Sequence, residues 1–147
     1  MNVKSILAAK SRNLGGNLIS IEPTADLAAA ARLLAQHRIG ALVIRGAGGR
    51  LAGILSERDI VRTLAEKGAA ALSEPVGQVM TREVETCGEN DSVSSLMERM
   101  TTGKFRHMPV VEQGQLIGLI SIGDVVKQRV EEFEQESEAM RDYIRSA

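Results

Sequence analysis

The segment Gly53-Ile54-Leu55-Ser56-Glu57-Arg58-Asp59 returns 65 positions later as Gly118-Leu119-Ile120-Ser121-Ile122-Gly123-Asp124, so the chain carries one short pattern twice. The echo reaches further upstream, because residues 27–44 align on 93–110 at a constant offset of 66 without a gap. The offset then falls by one between two strands, where 45–50 is six residues and 111–115 is five. A hairpin tolerates that change of length. Whatever role the fold gives one segment it must give the other, and the chain is predicted to be two supersecondary units of roughly sixty residues each.

Each unit reads in the same order. A short apolar helix over 3–9 and a polar connection over 10–17 lead into a strand at 18–21. Thr24 is placed to cap an alanine-rich helix over 25–37, whose Leu27, Ala30, Ala31 and Leu34 follow the spacing of one buried face. Strands over 41–45 and 51–56 flank the Gly46-Ala47-Gly48-Gly49 turn, and a helix over 57–67 closes the unit. The second unit repeats this with a helix at 76–80, a strand at 84–87, a helix over 92–102 ended by Gly103, and strands over 107–112 and 115–121 about Gln113-Gly114. Its last helix starts near Ile122 and meets no breaker before the chain ends. The repeats are therefore expected at 1–68 and 76–130, joined by a small, polar linker at 69–75 and followed by a helical extension at 131–147.

The fold class is α/β of the α+β kind, with each repeat a small three-stranded sheet and two helices. Such a unit has too little interior to be stable alone, so the copies are expected to pack about an approximate two-fold axis, leaving a shared cleft as the natural ligand site.

Composition excludes several functions. A net charge of -1 gives no electrostatic footprint for nucleic acid or anionic membrane, and an aromatic content of 2% gives no stacking surface for single strands. No apolar run approaches the length that spans a bilayer, residues 1–11 lack the pattern of a leader, and a cytoplasmic protein is expected. Cys87 is alone and reads as a small core residue or a sign of a reducing compartment. Neither His37 nor Cys87 stands at metal-ligand spacing from His107. Catalysis has no signature either: no base lies beside an activated nucleophile, and no Lys-Ser or Lys-Thr follows Gly46 to make a phosphate loop.

The duplicated heptapeptide does carry chemistry. Ser56 and Ser121 stand where a strand passes into a helix, among unpaired backbone N–H groups that attract phosphate. Asp59 and Asp124, three residues on, can accept both hydroxyls of a ribose. Ser-x-x-Asp is equally a helix capping box, which needs no ligand. The copies differ around it: Arg58 in the first faces Gly123 in the second, whereas Arg106 and His107 in the second face Gly40 and Ala41 in the first. Each arginine can pair phosphate oxygens or lie solvated on the surface, and His107 can add a donor or pack in the core.

Gly-apolar-apolar-Ser-x-x-Asp in both copies, with Arg106-His107-Met108-Pro109-Val110-Val111 in the second, resembles the cystathionine beta-synthase (CBS) domain, whose tandem pair is called a Bateman module. The resemblance covers residues 3–130. It implies a regulatory module that binds AMP, ADP, ATP or NAD(H) without converting it, with no catalytic cofactor, and that signals to a partner protein. It also implies site residues. Ser56, Asp59, Ser121 and Asp124 would meet ribose and phosphate; Leu18, Ile19, Ile39 and Ala41 would line one adenine slot; Thr81, Val84, Phe105 and Met108 would line the other. Core packing explains Leu18, Ile39, Val84 and Met108 equally well.

The final helix adds Val126, Val130, Phe133, Met140 and Ile144 at heptad-like spacing, with Glu131, Glu132, Glu134, Glu136 and Glu138 elsewhere around it. A second copy of the chain is the simplest cover for that stripe, as Bateman modules often pair into homodimers, and a solvated tail is the alternative. The rival functional readings are a ligand-free structural or adaptor dimer, and a small nucleotide-converting enzyme akin to the inosine-monophosphate dehydrogenases that carry the same module. The second lacks their catalytic barrel.

Overall fold

The computed structural model describes residues 1–14 and 18–146. In chain order the elements are α1 (Val3–Leu14), β1 (Ser20–Ile21), α2 (Leu27–His37), β2 (Ala41–Arg45), β3 (Leu51–Ser56), α3 (Glu57–Lys67), α4 (Val76–Val79), α5 (Val93–Gly103), β4 (His107–Glu112), β5 (Gln115–Ser121) and α6 (Ile122–Ser146). Single 3-10 turns cover Ala47–Gly49 and Gly68–Ser73. The chain divides into two compact units, one of Leu18–Thr86 with Pro109–Leu119, the other of the N-terminal stretch, Cys87–Met108 and the stretch from Ile120 on.

In the first unit β1, β2 and β3 form a sheet in that order, β1 parallel and β3 antiparallel to β2. The run Ala41-Leu42-Val43-Ile44 is buried at every position, as a central strand covered on both faces must be. Leu27, Ala30 and Leu34 of α2 pack with Leu42, Ile44, Leu55, Ile60, Val76 and Met80 into one apolar cluster. The start of α4 is tied to the start of α2: Leu27 N–H donates to the Glu74 carbonyl at 3.0 Å and Val76 N–H to the Ala25 carbonyl at 2.7 Å.

The second unit repeats that tie with different segments. Val3 N–H donates to the Asp91 carbonyl and Lys4 N–H to the Glu89 carbonyl, both at 3.0 Å, so the start of α1 lies against the lead into α5 as α4 lies against the lead into α2. Both α1 and α5 pack on α6. Val3, Ile6, Cys87, Val93, Leu96, Met100, Met108, Ile120 and Val125 are buried in this unit.

Several expectations are corrected. Thr24 is not the cap of α2: Asp26 is, its carboxylate accepting from Ala29 N–H at 2.8 Å, so the helix starts at Leu27. The first helix runs on to Leu14 where a connection from Lys10 was expected, and the glycine-containing part of that connection, 15–17, lies outside the described residues. The linker has regular structure as a 3-10 turn. No strand forms at 84–86, Cys87 carries only a β-bridge, and β4 and β5 make a two-stranded sheet, so among the described residues the second sheet has two strands where three were expected. Gly103 does not stop α5; it is the last helical residue, and Lys104 takes the left-handed conformation at φ 56°. Arg38, at the matching position after α2, does the same at φ 53°.

Candidate functional site

The two Ser-x-x-Asp segments open α3 and α6 with matching hydrogen bonds. At α3, Asp59 N–H donates to Ser56 Oγ at 3.3 Å, while Asp59 Oδ2 accepts from Ser56 N–H at 2.9 Å and from the Ser56 hydroxyl at 3.1 Å. At α6, Asp124 N–H donates to Ser121 Oγ at 3.2 Å and Asp124 Oδ2 accepts from Ser121 N–H at 2.9 Å. These are capping boxes, and the serine hydroxyls are committed to them. The next donor back is also spoken for, since Glu57 N–H reaches the Gly40 carbonyl at 3.0 Å and Ile122 N–H the Arg106 carbonyl at 2.8 Å. Among the described bonds, the backbone N–H groups of Arg58 and Gly123 alone in each first turn have no acceptor, which leaves each helix head one donor for an anion.

The carboxylates have different counter-ions. Asp59 is buried, and its second oxygen Oδ1 lies 3.1 Å from Arg62, three residues on in α3. Asp124 is half-buried and takes Lys10 of α1, with Nζ 2.9 Å from Oδ2. Burial works to raise the Asp124 pKa, but the Ser121 backbone hydrogen bond and the Lys10 ammonium outweigh it and hold the carboxyl below its ordinary value of 3.8. Carboxylate oxygens have about four lone-pair sites between them, so both groups can still accept a hydroxyl.

The leading glycine of the motif also has a structural reason. A Cβ on Gly53 would lie 2.6 Å from the Thr81 carbonyl oxygen and 2.7 Å from Met80 Sδ. Its absence lets the chain after α4 reach β3, where Ile54 and Thr81 exchange two backbone hydrogen bonds of 3.0 and 2.9 Å.

The remaining expected site residues divide between the units. In the first, Ala41 stands opposite Ser56 in the sheet register and is buried, Ile19 and Ile39 pack on the apolar cluster, and Leu18 is half-buried two residues ahead of β1. Thr81, expected beside Phe105 and Met108, is exposed and bonded to Ile54 in the first unit instead. Val84 is half-buried in irregular chain. In the second unit Met108 is fully buried, which makes it core, while His107 and Phe105 are half-buried and the Phe105 ring lies against Gly103. Arg58 and Arg106 are both exposed. Sequence reading missed Arg62 and Lys10. Arg62 was open to an i, i+3 argument from Asp59; Lys10 lies 114 residues from its partner and no spacing rule reaches it.

Among the described residues, no group of three or more His, Cys, Asp or Glu can hold a metal ion, and no helix is long and apolar enough to cross a membrane.

Comparison with known proteins matches this geometry to a family. Residues 11–66 and 76–131 each match the CBS domain. The chain is 32% identical over 146 residues to the mitochondrial CBS domain-containing protein CBSX3 of Arabidopsis thaliana, covering 97% of this chain and 71% of that one. Among solved structures, a CBS-domain protein of Agrobacterium tumefaciens is 44% identical with a TM-score of 0.80, over 88% of this chain and 99% of the other. The CBS domain pair of protein MJ0100, solved in complex with 5′-methylthioadenosine and S-adenosyl-L-methionine, is 25% identical with a TM-score of 0.76, over 90% and 98%. Two matched copies, a mixed α and β fold with two small sheets and structural agreement along most of the chain place this protein in the CBS domain family, as a tandem pair.

Proposed function

We propose that this chain is a regulatory module that binds an adenine nucleotide (AMP, ADP, ATP or NAD(H)) at the helix heads of its CBS repeats and passes the occupancy on to a partner protein. The observation that carries this reading is the duplicated helix head: an aspartate whose carboxylate retains acceptor capacity, beside a backbone N–H with no acceptor, at both Asp59 with Arg58 and Asp124 with Gly123. A ribose diol suits the first and a phosphate oxygen the second. The adenosine ligands of the MJ0100 pair support the class. Arg58 and Arg106 are exposed and can turn to a phosphate bidentately. Nothing in either helix head supplies a nucleophile with a base, so the ligand is held and not converted. Signalling follows if two arrangements of the module differ in affinity for the ligand, because a ligand shifts an equilibrium only by that difference.

Isothermal titration with AMP, ATP, NADH and S-adenosylmethionine tests the reading, repeated on the Asp59→Ala, Asp124→Ala double variant. Binding of a nucleotide by the parent and its loss in the double variant is expected. A parent that binds none of them would leave the ligand-free adaptor, which the engagement of both Asp59 oxygens by Ser56 and Arg62 favours.

We further propose that the module is a homodimer formed along α6. Val125 and Gln128 are the buried residues of that helix, whereas Val126, Val130, Phe133, Met140 and Ile144 are exposed, so the stripe is not consumed by the chain's own fold.

A further inference from the structure

The stripe on α6 is flanked by charges whose order separates one way of covering it from another. Val126, Phe133 and Met140 take the d places of a heptad, and Val130, Ser137 and Ile144 the a places. The e places that follow d are then Lys127, Glu134 and Arg141, and the g places that precede a are Arg129, Glu136 and Tyr143. All of these are exposed except the half-buried Arg129, whose guanidinium lies 4.5 Å from the Phe133 ring centre, over the stripe itself. It gives one N–H to Glu132 at 2.8 Å and has further donors to give.

In a parallel, in-register pair of helices a g residue meets the partner's e residue of the following heptad. Arg129 then meets Glu134 of the second copy and Glu136 meets Arg141, so both complete pairs join opposite charges. An antiparallel pair of the same overlap sets e against e and g against g: Lys127 against Arg141, Glu134 against Glu134 and Glu136 against Glu136, all like charges. Sliding the antiparallel pair by one heptad relieves that repulsion but uncovers either Met140 and Ile144 or Val126 and Val130. Ser137 points the same way. In the parallel pair its hydroxyl faces its own copy across one a layer and can share a hydrogen bond, whereas the antiparallel pair of full overlap sets it against Phe133. The buried Val125 and Gln128 already hold the start of α6 on its own unit, so the helix is nucleated before it pairs.

We propose, building on the α6 homodimer above, that the seam is a parallel, in-register coiled coil whose orientation is set by ion pairs between the copies, Arg129 with Glu134 and Glu136 with Arg141. Both copies then present their Ser121 and Asp124 helix heads at the same end of the seam.

Cysteine cross-linking reads the orientation, with the parent, whose Cys87 is buried, as the control. Under a mild oxidant Ile144→Cys is expected to form a covalent dimer with itself, and a mixture of Val126→Cys and Ile144→Cys to give no product joining the two variants. Sedimentation at low salt reads the charges. Glu136→Arg, at an exposed position, sets like charges against Arg141 in both symmetry-related pairs and is expected to weaken the dimer about tenfold. Adding Arg141→Glu is expected to restore it. A covalent product between Val126→Cys and Ile144→Cys, an Ile144→Cys dimer that does not cross-link, or a charge swap that restores nothing overturns the parallel seam and leaves the homodimer standing. A parent that sediments as a monomer at every concentration overturns both.

Discussion

Ser56 and Asp59 cap one another at the head of α3, each backbone N–H donating to the other's side chain, at 2.9 Å from Ser56 and 3.3 Å from Asp59. The residues proposed to meet a ligand thus hold their geometry without one. The serine hydroxyl is first a structural acceptor, and Ser56→Ala is expected to lower stability by about 1 kcal/mol, as loss of a helix cap does. Ser121→Ala should cost about the same, since its ring at α6 has nearly the same lengths. Urea unfolding of both variants checks this; an unchanged midpoint would mean that the rings contribute nothing.

Two glycines of the repeated region should respond oppositely to a methyl group. Gly53→Ala drives a Cβ into the Thr81 carbonyl and Met80, and a cost of about 1–3 kcal/mol is expected from overpacking against backbone. Gly123→Ala meets only Ser121 Oγ at 3.6 Å, in ordinary contact, and should gain about 0.4–1 kcal/mol through the unfolded chain. Thermal melts of the two variants, moving in opposite directions, are the check.

Arg38 and Lys104 occupy matching positions 66 residues apart and both end a helix in left-handed backbone, at φ 53° and 56°. A side chain there costs about 1 kcal/mol relative to glycine. Arg38→Gly and Lys104→Gly are therefore each expected to raise the urea midpoint, and a fall in either would show that its side chain contributes more than its backbone costs.

The repeat made much of this fold legible. An offset of 66 or 65 residues predicted that α2 and α5, β2 and β4, β3 and β5, and α3 and the head of α6 would share roles, and they do. Local signals were less reliable than the repeat: Thr24 looked like a cap, yet Asp26, two residues on, holds that place. What the sequence concealed was long-range. The tie of α1 to residues 89–91, the reach of Thr81 to β3 across Gly53, and the pairing of Lys10 with Asp124 are set by backbone meetings and one ammonium at large separation, which no periodicity records. The strand expected at 84–87 failed for a related reason. Its apolar residues Val84 and Cys87 are half-buried and buried, yet the segment forms only a bridge at Cys87 and no continuous strand, because packing can bury side chains where regular pairing is not extended.

Acid should release the head of α6. The Asp124 carboxyl titrates below its ordinary 3.8 in the folded protein, so the stability it contributes is complete above that value and is lost as the pH falls through the lower, folded one. Asp124→Asn keeps an acceptor for Ser121 N–H but loses the charge that holds Lys10. The variant is expected to be less stable than the parent at neutral pH, with the two unfolding curves converging below the ordinary carboxylate range. A gap that persisted at the acid end would mean that the charge is not what the aspartate supplies.

The exposed stripe of α6 makes the most direct claim on assembly. Phe133 is 55% exposed, with the Arg129 guanidinium 4.5 Å from its ring centre, and Val130 beside it is 49% exposed. A lone exposed apolar residue is ordinary, but five at heptad-like spacing on one helix form a seam that a second copy can cover knob-into-hole. Phe133→Glu places a charge in that seam while touching nothing buried within the chain. If α6 pairs with its copy, sedimentation should show the parent as a dimer and the variant as a monomer, with little change in the monomer's circular dichroism. Val125→Glu is the contrasting variant, because Val125 is fully buried and lies off the exposed stripe; it should unfold the second unit rather than merely separate two copies. A parent that sediments as a monomer at every concentration would leave α6 a solvated helix and remove the dimer from the proposed function.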